Sequence, residues 1–267
     1  MTQSGQRRTA AGKEDHVEVD GFRIRYWASG PPQPVGAVVM LEGMTWGLSA
    51  LRDALGQQYR VIALELPGCG ASPANTRSQS VQELANTVAQ ACAQVVLEHY
   101  TLVGTSFGAH VALWQTLRAP DQVEALVLIA PTALLPVAGT PEEMARRLFA
   151  HPEKARSLAS VDPAIAAKEQ ALVQRLTGGR HDAEVERRLG EIPCATLVLF
   201  GSEDKMVAPE AARLYRAQIP NSNIAFVYDA GHLIEAERPE ALVNAVSDYV
   251  ALRETFIVGR QTGIINP

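Results

Sequence analysis

The sequence predicts an α/β protein: a mostly parallel central sheet, helices on both faces, and a helical insertion capping one end. Three observations carry this. Short apolar runs of strand length alternate with stretches of helical periodicity. Gly- or Pro-containing loops bound these runs. One long stretch, 133–192, shows helical patterns and no strand.

In chain order, residues 16–20 and 22–29 alternate apolar and polar, with Asp20-Gly21 between them, which is a hairpin signal. Residues 36–43 and 59–66 are built around the apolar runs AVVML and VIAL, as expected of strands covered on both faces. Leu48 to Leu55 reads as a helix between them. From Ser80 to Glu98 the apolar residues Val81, Leu84, Val88, Ala91 and Val95 recur at helical spacing, with Ser80 as N-cap. Residues 101–104 form a short strand, 106–119 a helix and 123–131 a strand. Residues 194–201 and 223–230 are further strands with a helix between them, and a last helix runs from Pro239 to about Glu254. The tail after it is expected to pack on the surface. This divides the chain into a core of residues 1–132 and 193–267 and a cap of residues 133–192. Ligand sites in open α/β sheets lie at the carboxyl ends of the strands, so a cap there would enclose a substrate.

Bulk properties narrow the function. The 267 residues are 47% hydrophobic and 20% charged, the composition of a globular domain. A net charge of -5 without a basic cluster argues against nucleic-acid binding. The polar N-terminus lacks the apolar segment of a secretory signal. The uncharged, mostly apolar stretch 125–141 is short for a membrane span and is broken by Pro131 and Pro136. Cys69, Cys92 and Cys194 are odd in number and match no zinc or disulfide spacing, so reduced thiols in the cytoplasm are expected. Cys69 lies between two glycines in a predicted loop, where an exposed, reactive thiol is the lesser reading and an unremarkable side chain the favoured one. The expected partner is a small-molecule substrate, with no nucleic acid, membrane, metal or other cofactor.

One segment carries chemistry. Gly104-Thr105-Ser106-Phe107-Gly108 follows a strand and opens a helix. That is the setting of a nucleophile elbow, a sharp turn that lifts a serine hydroxyl above the sheet. Small neighbours two residues away let strand and helix approach. A serine hydroxyl needs a base to remove its proton. Of six histidines, His232 follows a strand and precedes a helix, on the same side of the sheet as Ser106. His16 lies in the opening strand, His99 and His110 at or within helices, and His151 and His181 in the insertion. The base in turn needs an acceptor that orients it. Asp204, at the carboxyl end of another strand, fits best, and Glu203 is the alternative. Asp204 could instead cap the helix that follows.

The chain resembles the α/β-hydrolase superfamily over nearly its whole length. The resemblance rests on GTSFGA, GSEDKMVAP, DAGH and ELPGCGAS, the last with Glu65 where the family commonly has Asp. It implies the α/β-hydrolase fold and a serine hydrolase with Ser106, Asp204 and His232 as catalytic residues. It also implies an oxyanion hole from the backbone N–H groups of Phe107 and Met44. Where the family usually shows His-Gly before that second donor, this chain has Glu42-Gly43. A carboxylate there opposes an anionic intermediate unless it is protonated, turned away or paired with a cation. Glu42 is therefore read either as a ligand of its own loop or as a contact for a polar or cationic substrate group. The expected reaction is cleavage of a small or medium ester. The alternatives are carbon–carbon bond hydrolysis of ring-fission products and a ligand receptor on a hydrolase scaffold.

Overall fold

The computed structural model describes residues 12–42, 48–134, 143, 146–153, 162–256 and 264–265. They form a nine-stranded sheet. Its strands are β1 (Lys13–Val19), β2 (Phe22–Ser29), β3 (Ala37–Leu41), β4 (Arg60–Leu64), β5 (Tyr100–Thr105), β6 (Val123–Ile129), β7 (Ala195–Gly201), β8 (Ser222–Val227) and β9 (Ile264–Ile265). Their order is β1-β2-β4-β3-β5-β6-β7-β8-β9. Strands β3 to β8 pair in parallel, and β1, β2 and β9 pair antiparallel. The opening hairpin closes through Asp20 and Gly21, both at positive φ (50° and 73°), which suits the right-handed twist of a two-residue connection.

The continuous apolar runs are explained by burial on both faces. Within β3, Val39 and Leu41 pack with Leu84, Val88 and Leu113, which lie on α2 (Val81–Val95) and α3 (Phe107–Arg118). Val38 and Met40 point the other way, with Leu51 and Leu55 of α1 (Ser49–Leu55). Ser80 caps α2, its Oγ accepting from the Glu83 N–H at 3.1 Å. The helix ends at Val95, short of the expected Glu98. Val96 turns extended and sinks into the core while Leu97 is left exposed. Two adjacent β-branched residues at the helix end favour that exit towards β5. The tail supplies β9, pairing with Phe226 and Val227, a strand too short to leave a sequence pattern.

Between β6 and β7 the described residues include two helices, α4 (Pro163–Thr177) and α5 (Ala183–Arg188). Asp162 and Asp182 are their N-caps. Helix α4 is clasped to the loop after β4. Lys168 Nζ donates to the carbonyls of Gly70 and Ser72, and Arg175 to those of Asn75 and Ser78. The buried Glu169 accepts the Gly70 N–H at 2.7 Å. After β7 come α6 (Ala212–Gln218), then β8, α7 (Ile234–Glu237) and α8 (Pro239–Leu252). Among the described residues, no helix is long and apolar enough to cross a membrane.

Candidate active site

Strand β5 ends at Thr105, and Ser106 adopts φ 52° and ψ -116° before α3 begins. An L-residue reaches this region only under constraint from its surroundings. The Ser106 N–H donates to the Ile129 carbonyl at 2.8 Å, tying the elbow to β6. Gly104 supplies the close approach below it. A Cβ there would lie 2.6 Å from the Gly108 carbonyl oxygen and 2.7 Å from the Ala109 Cα.

Strands β7 and β8 are parallel neighbours, so their carboxyl-end loops lie side by side. A Cβ on Gly201 would meet the Gly231 and Ala230 carbonyl oxygens at 2.2 and 2.3 Å, so the two loops touch backbone to backbone. This brings Asp204 and His232 together. Ser106 Oγ lies 2.8 Å from His232 Nε2, and His232 Nδ1 lies 2.9 Å from Asp204 Oδ2. Both the His232 and Asp204 side chains are shut off from solvent. The second Asp204 oxygen accepts the N–H groups of Met206 and Val207 at 2.8 and 2.9 Å. Those bonds aim the carboxylate and leave Oδ2 for the imidazole. Asp204 is not an N-cap of the helix that follows: its second oxygen holds the loop residues Met206 and Val207, and α6 begins only at Ala212 with no side-chain cap. Glu203 points to solvent.

The arrangement is a hydroxyl, an imidazole and a buried carboxylate in one hydrogen-bonded chain, at the carboxyl end of a parallel sheet. Such a chain can move a proton from the hydroxyl to the imidazole and stabilise the charge that results. Residues 36–245 match the alpha/beta hydrolase family. The chain belongs to the α/β-hydrolase family. Among proteins similar to this α/β-hydrolase is a 2-hydroxymuconate semialdehyde hydrolase of Pseudomonas putida. It is 26% identical over 262 residues, covering 88% of this chain and 89% of that one. Two solved structures share the fold. An esterase of Thermogutta terrifontis has a TM-score of 0.73 at 22% identity, covering 90% of this chain and 98% of its own. A serine hydrolase involved in carbazole degradation has a TM-score of 0.74 at 23% identity, covering 91% and 100%.

Other residues singled out in the sequence sit around this centre. Met44 lies outside the described residues. Phe107 opens α3, where the first N–H groups of a helix have no intrahelical partner. Glu42 is paired with a cation: its carboxylate lies 3.7 Å from Arg52 of α1 and bonds the Leu48 N–H. Burial raises the Glu42 pKa, Arg52 and the Leu48 bond oppose the rise, and Glu65 adds to it. Glu65 organises the loop after β4, pairing with Arg25 and accepting from the Ser72 Oγ and N–H at 2.6 and 3.0 Å. Cys69 fits the favoured reading of an unremarkable side chain. It is buried rather than exposed, because α4 covers its loop. Burial, with Glu169 and Glu65 nearby, pushes its thiol far above the ordinary range.

Three of the other histidines in this α/β-hydrolase form separate pairs. His110, one turn into α3, sits 2.7 Å from Asp182 Oδ2, and Trp114 Nε1 donates to the same oxygen at 2.9 Å. His151 Nε2 meets Asp229 Oδ1 at 2.5 Å, and His181 bonds Glu186 and the Leu134 carbonyl. Sequence reasoning passed over Glu237, which is buried five residues after His232 and bonds backbone beside it. The only signal was a pair of carboxylates, Glu235 and Glu237, in the short segment between His232 and Pro239.

Proposed function

We propose that the protein is a serine hydrolase acting on small or medium esters through an acyl-enzyme at Ser106. The observation that carries this reading is the 2.8 Å contact between Ser106 Oγ and His232 Nε2, on an elbow held at positive φ. In the proposed reaction Ser106 Oγ attacks the ester carbonyl while His232 Nε2 takes the hydroxyl proton. Asp204 holds the imidazole with Nδ1 protonated and Nε2 free to accept. The tetrahedral oxyanion is received by the Phe107 N–H and, as the family resemblance implies, the Met44 N–H. His232 then protonates the departing alkoxide. A water deprotonated by the same imidazole releases the acid. Each proton moves through a residue of this chain. The stretch 133–192 serves as the cap over the acyl group. Three buried, unpaired cysteines support a reducing compartment such as the cytoplasm.

A p-nitrophenyl ester series from acetate to octanoate, run with wild type and Ser106→Ala, tests the reading. Hydrolysis that vanishes in Ser106→Ala supports it, and equal rates in the two proteins overturn it. A second reading, carbon–carbon bond hydrolysis, is favoured by the 26% identity to the 2-hydroxymuconate semialdehyde hydrolase. It expects turnover of 2-hydroxymuconate semialdehyde well above that of any ester in the series.

A further inference from the structure

Residues 148–151, in the insertion between β6 and β7, lie directly against the loop that carries His232. The Leu233 N–H donates to the Leu148 carbonyl at 3.1 Å. A Cβ on Gly231 would stand 2.5 Å from the Ala150 nitrogen and 2.7 Å from the Phe149 carbonyl carbon. The Phe149 side chain is fully buried. At this junction sits the carboxylate of Glu237, the last residue of α7, itself buried. Its Oε1 accepts the His151 N–H at 2.8 Å. Its Oε2 accepts the Ala150 N–H at 3.1 Å and the Gly231 N–H at 2.6 Å. Gly231 immediately precedes His232.

The choice of residue is informative. A buried carboxylate is tolerated only when hydrogen bonds replace its water, and three backbone donors do so here. A glutamine carries one acceptor oxygen, and its amide nitrogen would face a backbone N–H. Only a carboxylate can hold all three amides. Two belong to the insertion and one to the base loop, so a single side chain fastens both to α7.

We propose that Glu237 is a positioning residue for His232: it locks the imidazole's loop to the cap segment, so that displacement of that segment displaces the base. The inference rests on the reading of Ser106 and His232 as nucleophile and base. Small errors in the placement of a reacting group cost rate far more than binding.

The test compares wild type with Glu237→Gln, Glu237→Asp and Lys168→Met. Lys168 ties α4 to the loop after β4 and makes no bond to the base loop. Each protein is assayed for kcat and KM on p-nitrophenyl acetate, for the second-order rate of reaction with a fluorophosphonate, and for Tm. Glu237→Gln is expected to lower kcat and the fluorophosphonate rate about ten- to a hundredfold, with KM within about threefold. Glu237→Asp, which keeps the charge with shorter reach, recovers part of that rate. Lys168→Met lowers Tm with little change in either rate. Glu237→Gln with wild-type kcat, or a loss no larger than that of Lys168→Met, overturns the proposal. Should Glu237→Gln fail to fold, Glu237→Asp decides: reduced kcat at near-wild-type Tm supports the role, and unchanged kcat overturns it. A wild type inert to both ester and fluorophosphonate removes the proposed function and this inference together, whereas a reactive wild type with equally reactive Glu237 variants removes only the inference.

Discussion

His232 Nδ1 stands 2.9 Å from Asp204 Oδ2, and neither side chain touches solvent. The carboxylate therefore sets which ring nitrogen carries the proton. In Asp204→Asn the amide can keep its oxygen on the Met206 and Val207 N–H groups. It then turns its NH₂ towards the ring. Nδ1 must accept, Nε2 becomes protonated, and Ser106 loses its base. The expected result is a fall in kcat of about 10⁴-fold with Tm nearly unchanged. A variant within tenfold of wild type would remove Asp204 from the mechanism.

The elbow stores strain that a substitution can release. Ser106 sits at φ 52°, a conformation that costs a non-glycine residue on the order of 1–3 kcal/mol. Glycine adopts it freely but loses more backbone entropy on folding. Ser106→Gly should therefore unfold in urea at higher concentration, with a gain of about 1 kcal/mol, while losing all ester hydrolysis. A less stable Ser106→Gly would mean that hydroxyl contacts outweigh the strain.

Asp182 links the insertion to the elbow helix and titrates accordingly. Burial acts to raise its pKa, but hydrogen bonds from His110, the Val185 N–H and Trp114 outweigh it and hold the carboxyl down at about 2. A carboxyl depressed in the folded state adds stability above its unfolded pKa and loses it as pH falls through the folded one. Asp182 should thus contribute up to about 2 kcal/mol at neutral pH, lost between about pH 5 and pH 2. Denaturant titrations should show Asp182→Asn less stable than wild type at pH 7, with a shallower decline into acid. Parallel stability–pH curves for the two proteins would contradict the assignment.

Glu42 has the opposite sign. Burial raises its pKa, with Arg52 only partly offsetting, so its charged form opposes folding at neutral and alkaline pH. That opposition disappears as pH falls and the group takes up its proton. Glu42→Gln should therefore have a higher Tm than wild type at pH 8 and an equal one at pH 4. Kinetics on neutral esters should change little, since the carboxylate faces Arg52 and the Leu48 N–H. A Tm difference independent of pH would show that packing, not charge, distinguishes the two side chains.

The sheet was readable because β3, β4, β6 and β7 are buried on both faces and so appear as mostly apolar runs. Ser106, Asp204 and His232 were readable for a related reason. Each follows a strand, and parallel strands deliver their following loops to one end of the sheet. Glu237 was not readable, because its partners His151 and Ala150 are 86 and 87 residues away in sequence. No local period records such a partnership. Strand β9 was missed because two residues cannot show alternation. The burial of Cys69 depended on α4, whose resting place only the folded insertion decides.

The touching loops of Gly201 and Gly231 have a consequence for how this site can drift. The spacing between the Asp204 and His232 loops is set by main-chain atoms in van der Waals contact, with no side chain between them to choose another rotamer. Core substitutions elsewhere can loosen or swell the sheet by several small steps without resetting this gap. A larger residue at either glycine has no gradual route: it must part the loops at once. Variation in the chain is thereby steered away from the loops that hold Asp204 and His232 at their 2.9 Å separation.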